Sequence, residues 1–226
     1  MSDNSIITRS IPALAITGAV GLVVAQYFIW VYAPVEATMG ILQKIFYFHL
    51  PLAWWGLISF FVVFCSSLVF LISKNPFMDR LSQSAAEVGL LFSGLALATG
   101  TLWARAAWNI WWTWDPRLST TLVMWFIYAG YLVLRQSIDN PHKMRAVCAV
   151  LGVVAFLNVP LVFLSARMWR SIHPAVFGSR GGGLEPEMMT TVLVCIAAWG
   201  ILTAGILFYR VRQLDLKDRI RNLFIF

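Results

Sequence analysis

Charge is scarce in this chain. Asp, Glu, Lys and Arg make up 12% of its 226 residues, against 60% hydrophobic. That balance excludes a soluble globular domain and fits an integral membrane protein. Cysteine is rarer still. Cys65, Cys148 and Cys195 all fall inside apolar stretches, and none belongs to a C-x-x-C or C-x-x-C-H motif. A disulfide framework, a thiol redox pair and thioether attachment of a cofactor are therefore set aside, and the three read as small buried apolar residues. Ionisable groups are almost missing from the apolar stretches. Glu87 lies at one end of a stretch and Arg105 and Arg117 at others, so a pump or ion carrier with charges at mid-membrane does not fit. There is no internal repeat, no low-complexity tract and no segment with the composition of a soluble domain.

Six apolar stretches read as membrane spans, at about 11–33, 50–72, 87–104, 118–134, 146–166 and 188–209. Each is near the roughly 20 residues that cross a bilayer as a helix, and all must be helical because backbone groups in lipid need internal partners. The first is too long for a removable signal peptide and has no small-residue cleavage site. Asn158 and Pro160 mark an expected kink in the fifth. The expectation is an all-α six-helix membrane bundle, residues 1–226 as one domain. With six spans, Arg9, Lys74, Arg80, Arg135, Lys143, Arg145, Arg210, Arg212, Lys217, Arg219 and Arg221 share one side. Lys44, Arg105, Arg117, Arg167, Arg170 and Arg180 share the other. This bias puts both termini in the cytoplasm. The net charge of +7 is mostly this topological signal and calls for no nucleic acid partner; the basic C-terminal tail can lie on anionic lipid of the bilayer.

The charge-poor background makes one run stand out. Residues 103–117 read W-A-R-A-A-W-N-I-W-W-T-W-D-P-R, with five of the eleven tryptophans inside twelve residues. Topology puts this loop on the outer, periplasmic face. An aromatic belt at headgroup level accounts for one or two Trp per helix end. Five in one loop, beside an acid and a base, suit a large, flat, amphiphilic ligand equally well. Of the three histidines, His142 lies on the cytoplasmic side next to two cations and reads as ordinary surface. His49, at the entry to the second span, and His173, in the last outer loop, share the Trp side. Two imidazoles without cysteine make a poor closed zinc site. They are enough for haem iron, whose four equatorial nitrogens come with the porphyrin. Trp faces would cover the macrocycle, and Lys44, Arg105, Arg117, Arg167 and Arg170 are available for its propionates.

The run Trp108-Asn109-Ile110-Trp111-Trp112-Thr113-Trp114-Asp115-Pro116-Arg117-Leu118-Ser119 resembles the W-G-x-x-W-x-W-D-x-R-L-T signature of tryptophan-rich haem-handling membrane proteins. Within that group the six-span size resembles the haem exporter protein C family of cytochrome c maturation, over nearly the whole chain. The resemblance implies axial haem ligands at His49 and His173. It implies a platform at Trp108, Trp111, Trp112 and Trp114 with Trp103 nearby, signature acid and base at Asp115 and Arg117, and an upstream basic residue at Lys44. Asn109 stands where the signature has glycine, and Ser119 where it has threonine. The implied function is to present haem b at the outer face of the bacterial inner membrane. From there it passes to a membrane-anchored haem chaperone for c-type cytochrome biogenesis. The implied partners are the ATP-binding cassette transporter subunits of the pathway and a small single-span subunit. This is haem transfer and not enzyme catalysis. Two readings without haem compete: a permease, which would need a polar path through the spans, and an enzyme on a lipid-linked substrate with Asp115 as base and Arg117 as anion clamp.

Overall fold

Asparagine or aspartate followed by proline opens three of the long helices. Asn75, Asp115 and Asn140 each accept a hydrogen bond from a backbone N–H two residues on, at 2.9, 2.9 and 3.0 Å. In each case proline follows at the first helical position, where its missing N–H costs nothing. A computed structural model describes residues 3–168 and 184–223, with side chains for 10–165 and 184–223. Helix α1 (Asp3–Tyr27) ends in a π-turn (Phe28–Tyr32). A 3-10 turn (Ile41–Ile45) runs directly into α2 (Phe46–Ser73). Then come α3 (Pro76–Trp108), α4 (Pro116–Ser137), α5 (Pro141–Ala155), α6 (Asn158–Met168) and α7 (Pro186–Leu223).

The protein is all-helical among the described residues, and six stretches are long and apolar enough to span a membrane: Ser10–Tyr32, Ile41–Ser73, Pro76–Trp108, Pro116–Ser137, Pro141–Ser165 and Pro186–Leu223. Their number agrees with the sequence analysis, and their limits do not. Most of the stretch between the expected second and third spans is already α3, which has 33 residues where 18 were expected apolar. Likewise α7 continues unbroken through the basic tail to Leu223. The reason is that these polar segments pair with each other. Arg135 makes a two-pronged bond to Asp79, both at 2.9 Å, and Arg145 reaches the same carboxylate at 3.4 Å. Arg145 and Arg80 also bind Asp218, Arg80 binds Asp215, and Arg210 clamps Glu87. Hydroxyls extend the network inward, from Arg135 to Tyr131, Ser82 and Ser67.

Helices α2 and α3 form a central antiparallel pair. Helix α7 packs on both, α4 and α5 on their other side, and α1 lies on α7. Close approach of α1 depends on glycine: a Cβ at Gly18 would come within 3.1 Å of the Leu202 backbone. The core is aromatic, with Phe60 stacked on Tyr128 at 3.7 Å. The fifth span breaks between α5 and α6 at the expected kink. There Leu157 and Val159 donate to Val154 and Phe156, three residues back. Past the break α6 packs on α4, whereas α5 packs on both α2 and α4.

Candidate functional site

The chemistry-bearing residues gather at the ends of α2, α3 and α4 opposite to the ion-pair network. His49 lies in the first turns of α2. Its Nδ1 is 3.0 Å from Thr99 Oγ1 on α3, and its ring meets Trp103 edge-on, with centroids 6.1 Å apart. Thr99 Oγ1 donates its own hydrogen to the Leu95 carbonyl, at 2.8 Å. With the hydroxyl hydrogen so placed, Thr99 Oγ1 accepts from His49 Nδ1–H, the tautomer that carries the imidazole lone pair on Nε2. The ring fits because the facing residue is Gly100, where a Cβ would stand 3.2 Å from His49 Cε1. Nothing in the local sequence of Thr99 or Gly100 marks them as supports of a histidine fifty residues away.

The loop takes its shape from two helix ends. Helix α3 closes at Asn109, whose φ of +58° is left-handed. Its N–H donates to Arg105 O at 3.1 Å, and the Arg105 guanidinium donates to both oxygens of Asn109. Glycine is the usual residue at such a cap and asparagine the common substitute, which explains why Asn109 can stand in the signature glycine position. The start of α4 is capped by Asp115, which is buried. Between these caps the indoles are held outward. Trp114 is 78% exposed and Trp111 58%, and Trp108 and Ile110 are exposed as well. Trp112 meets Trp114 edge-on at 5.9 Å, and Arg105 lies over the face of Trp111 at 5.6 Å. Trp103 is different: it is buried between Phe46 and His49.

The basic residues divide. Arg117 is half-buried at the start of α4, and no salt bridge among the described residues engages it. Lys44 is buried, with its ammonium on backbone carbonyls of Ile29 and Trp30. His173 and Arg170 lie outside the described residues, as does the side chain of Arg167. Among the described residues at this end, Gln43 Oε1, Trp103 Nε1 and Thr113 Oγ1 are buried without a hydrogen-bond partner, and the buried Tyr47 hydroxyl lies against the Gln43 side chain. Gln43, in the 3-10 turn, and Tyr47, in the first turn of α2, carried no signal in the sequence, because the apolar run around them hides them. Among the described residues no three His, Cys, Asp or Glu come together to hold a bare metal ion.

Comparison with known proteins finds relatives over nearly the whole chain. The profile of the "Heme exporter protein C" family matches residues 3–225. The chain is 31% identical to the heme exporter protein C of Bradyrhizobium diazoefficiens over 217 residues, covering 95% of this chain and 82% of that one. It is 27% identical to the heme exporter protein C of Escherichia coli K12 over 206 residues, 91% and 84% of the two chains. A ccmC-like mitochondrial protein of Marchantia polymorpha is 30% identical over 190 residues, 84% and 80% of the two chains. With a six-span helical chain, a tryptophan-rich loop between two of its helices and a family match from end to end, the chain belongs to the heme exporter protein C family of cytochrome c maturation.

Proposed function

We propose that this chain binds haem b at the outer face of the membrane and hands it to a membrane-anchored haem chaperone for c-type cytochrome assembly. Haem is cargo here, and the chain transfers it without catalysing a reaction. The observation that carries this reading is the setting of His49. Its imidazole stands at the foot of the tryptophan loop, against Trp103, with Nδ1 bonded to Thr99 and the ligand lone pair on Nε2. A metal-ligating histidine needs such a partner on its other nitrogen. One imidazole suits iron that brings its own four equatorial nitrogens, and His173 supplies the second axial ligand in this reading. Exposed Trp108, Trp111 and Trp114 with Trp112 form the platform for the macrocycle. Arg117 is the first choice for a propionate, since Arg105 is already held by Asn109 and Trp111. The buried, unpartnered Trp103 Nε1–H fits a ligand with polar edges.

By the excess of Lys and Arg, the loop faces the periplasm and both termini the cytoplasm, in a bacterial inner membrane. The partners are the haem chaperone, the ATP-binding cassette subunits of the same pathway and a small single-span subunit. The test is the optical spectrum of the detergent-purified protein from haem-replete cells. We expect b-type haem with two nitrogen axial ligands, extracted by acid. His49→Ala and His173→Ala lose it and stop c-type cytochrome formation, external imidazole restores it in either, and His142→Ala has no effect. A colourless wild-type protein refutes the proposal and returns the site to the permease and lipid-linked-substrate readings.

A further inference from the structure

Lys44 is the only buried lysine among the described residues, at 5% exposure. A desolvated ammonium needs compensation from every side. Its Nζ donates to Ile29 O at 2.6 Å and, more weakly, to Trp30 O at 3.4 Å, and lies 5.5 Å from the centre of the Trp30 ring. An ammonium has three donors and no acceptor. Two point at carbonyls and the Trp30 ring lies beside the cation, which leaves at most one donor for any further acceptor.

Those carbonyls are special. The π-turn closes with Ala33 N–H on Phe28 O at 2.8 Å, and Ala33 is extended, so the helix stops there. The carbonyls from Ile29 onward have no helical N–H to follow, and Ile29 is itself fully buried. They form the negative end of the α1 dipole, where a cation is stabilising. Lys44 supplies that cation from another element, the 3-10 turn that runs into α2. Helix α1 otherwise packs on α7. The bond from Lys44 thus ties the outer end of α1 to the start of α2, five residues before His49.

We propose that Lys44 is a positioning residue: its ammonium caps the outer end of α1, and so holds the start of α2 and His49 in place, instead of binding the propionates of haem. This rests on the reading of His49 as a haem ligand. The test compares haemin with its dimethyl ester, in which both propionates are neutral, by titration of full-length apoprotein in detergent. Lys44→Met should raise the Kd of both porphyrins by the same factor, on the order of tenfold from the unsatisfied buried carbonyls. It should also lower the fraction of low-spin, doubly nitrogen-ligated iron. Lys44→Arg, which can still donate to both carbonyls, should restore both readouts. Arg117→Ala serves as contrast and should weaken haemin more than the ester. If Lys44→Met weakens haemin and leaves the ester at wild-type affinity, Lys44 holds a propionate and the proposal is overturned. Wild-type affinity for both porphyrins also overturns it. If Lys44→Met does not accumulate, Lys44→Arg and Trp30→Leu carry the same comparison, and a defect confined to haemin decides against it. A wild type that binds neither porphyrin refutes the haem reading instead. The cap is then judged by the thermal midpoint, which must fall in Lys44→Met and recover in Lys44→Arg.

Discussion

At the scale of single residues, Thr99 and Asn109 do work that their identities alone would not reveal. Thr99 can accept from His49 Nδ1–H because its own hydrogen has a backbone acceptor in Leu95 O. Thr99→Val keeps the shape and removes the acceptor. By analogy with partners of metal-ligating histidines, haem affinity should drop on the order of tenfold or more, read by haemin titration, while Thr99→Ser stays near wild type. Asn109 holds φ at +58°. Asn109→Gly should be tolerated, and Asn109→Val should lose roughly 1–2 kcal/mol at that residue from the clash of a branched Cβ in left-handed backbone. The check is the thermal midpoint together with haem retention, because the same residue anchors Arg105 and through it Trp111.

At the scale of elements, two helix ends separate structural from chemical roles. Asp115 caps α4 through the Arg117 N–H, at 2.9 Å. Asp115→Asn keeps an N-cap acceptor, whereas Asp115→Ala removes it at a loss of about 1 kcal/mol. If the carboxylate serves only as cap, Asp115→Asn should load the haem chaperone like wild type. A loss in Asp115→Asn as large as in Asp115→Ala would show that its charge is needed as well. The start of α3 carries the second case. The side chains of Asp79 and Arg135 are about 5% exposed, and each is held by the other. Arg135→Met leaves a buried carboxylate short of its main partner and should destabilise the protein by roughly 3–5 kcal/mol. The double variant Asp79→Ala with Arg135→Met should be milder. Whatever protein is recovered should show an unchanged haem spectrum, since about thirty residues of α3, at 1.5 Å each, separate Asp79 from the tryptophan loop.

At the scale of the whole molecule, the bundle has two unlike ends. One is tied by Asp79, Arg80, Arg135, Arg145, Asp215 and Asp218 into a network across α3, α4, α5 and α7. The other presents indoles, a histidine and half-buried Arg117. Sidedness is testable with a membrane-impermeant maleimide on intact cells. Ile110→Cys, on the exposed loop, should label, and Ser137→Cys, at the far end of α4, should label only after lysis. The reverse pattern would invert the orientation and remove the periplasmic reading of the site.

Much of this was legible in the chain itself, and the physical reason is locality. A run of apolar residues declares a span whatever its neighbours do, so six spans, a kink at Asn158 and Pro160 and a tryptophan loop between two helices could be read directly. The Asx-Pro starts at Asn75, Asp115 and Asn140 are local features as well. The signature residues from Trp108 to Ser119 sit side by side and announce their family. Span limits were not legible: Asp79 and Arg80 look like loop residues until Arg135, Arg145, Asp215 and Asp218 are beside them, and the Asp79–Arg135 pair is 56 positions apart. Only tertiary structure decided that Thr99 orients His49, that Trp103 is packing and Trp114 is surface, and that Lys44 meets carbonyls 15 and 14 positions earlier. Each of those assignments depends on which helix faces which, and a polar side chain in a bilayer takes its role from the partner that packing sets beside it.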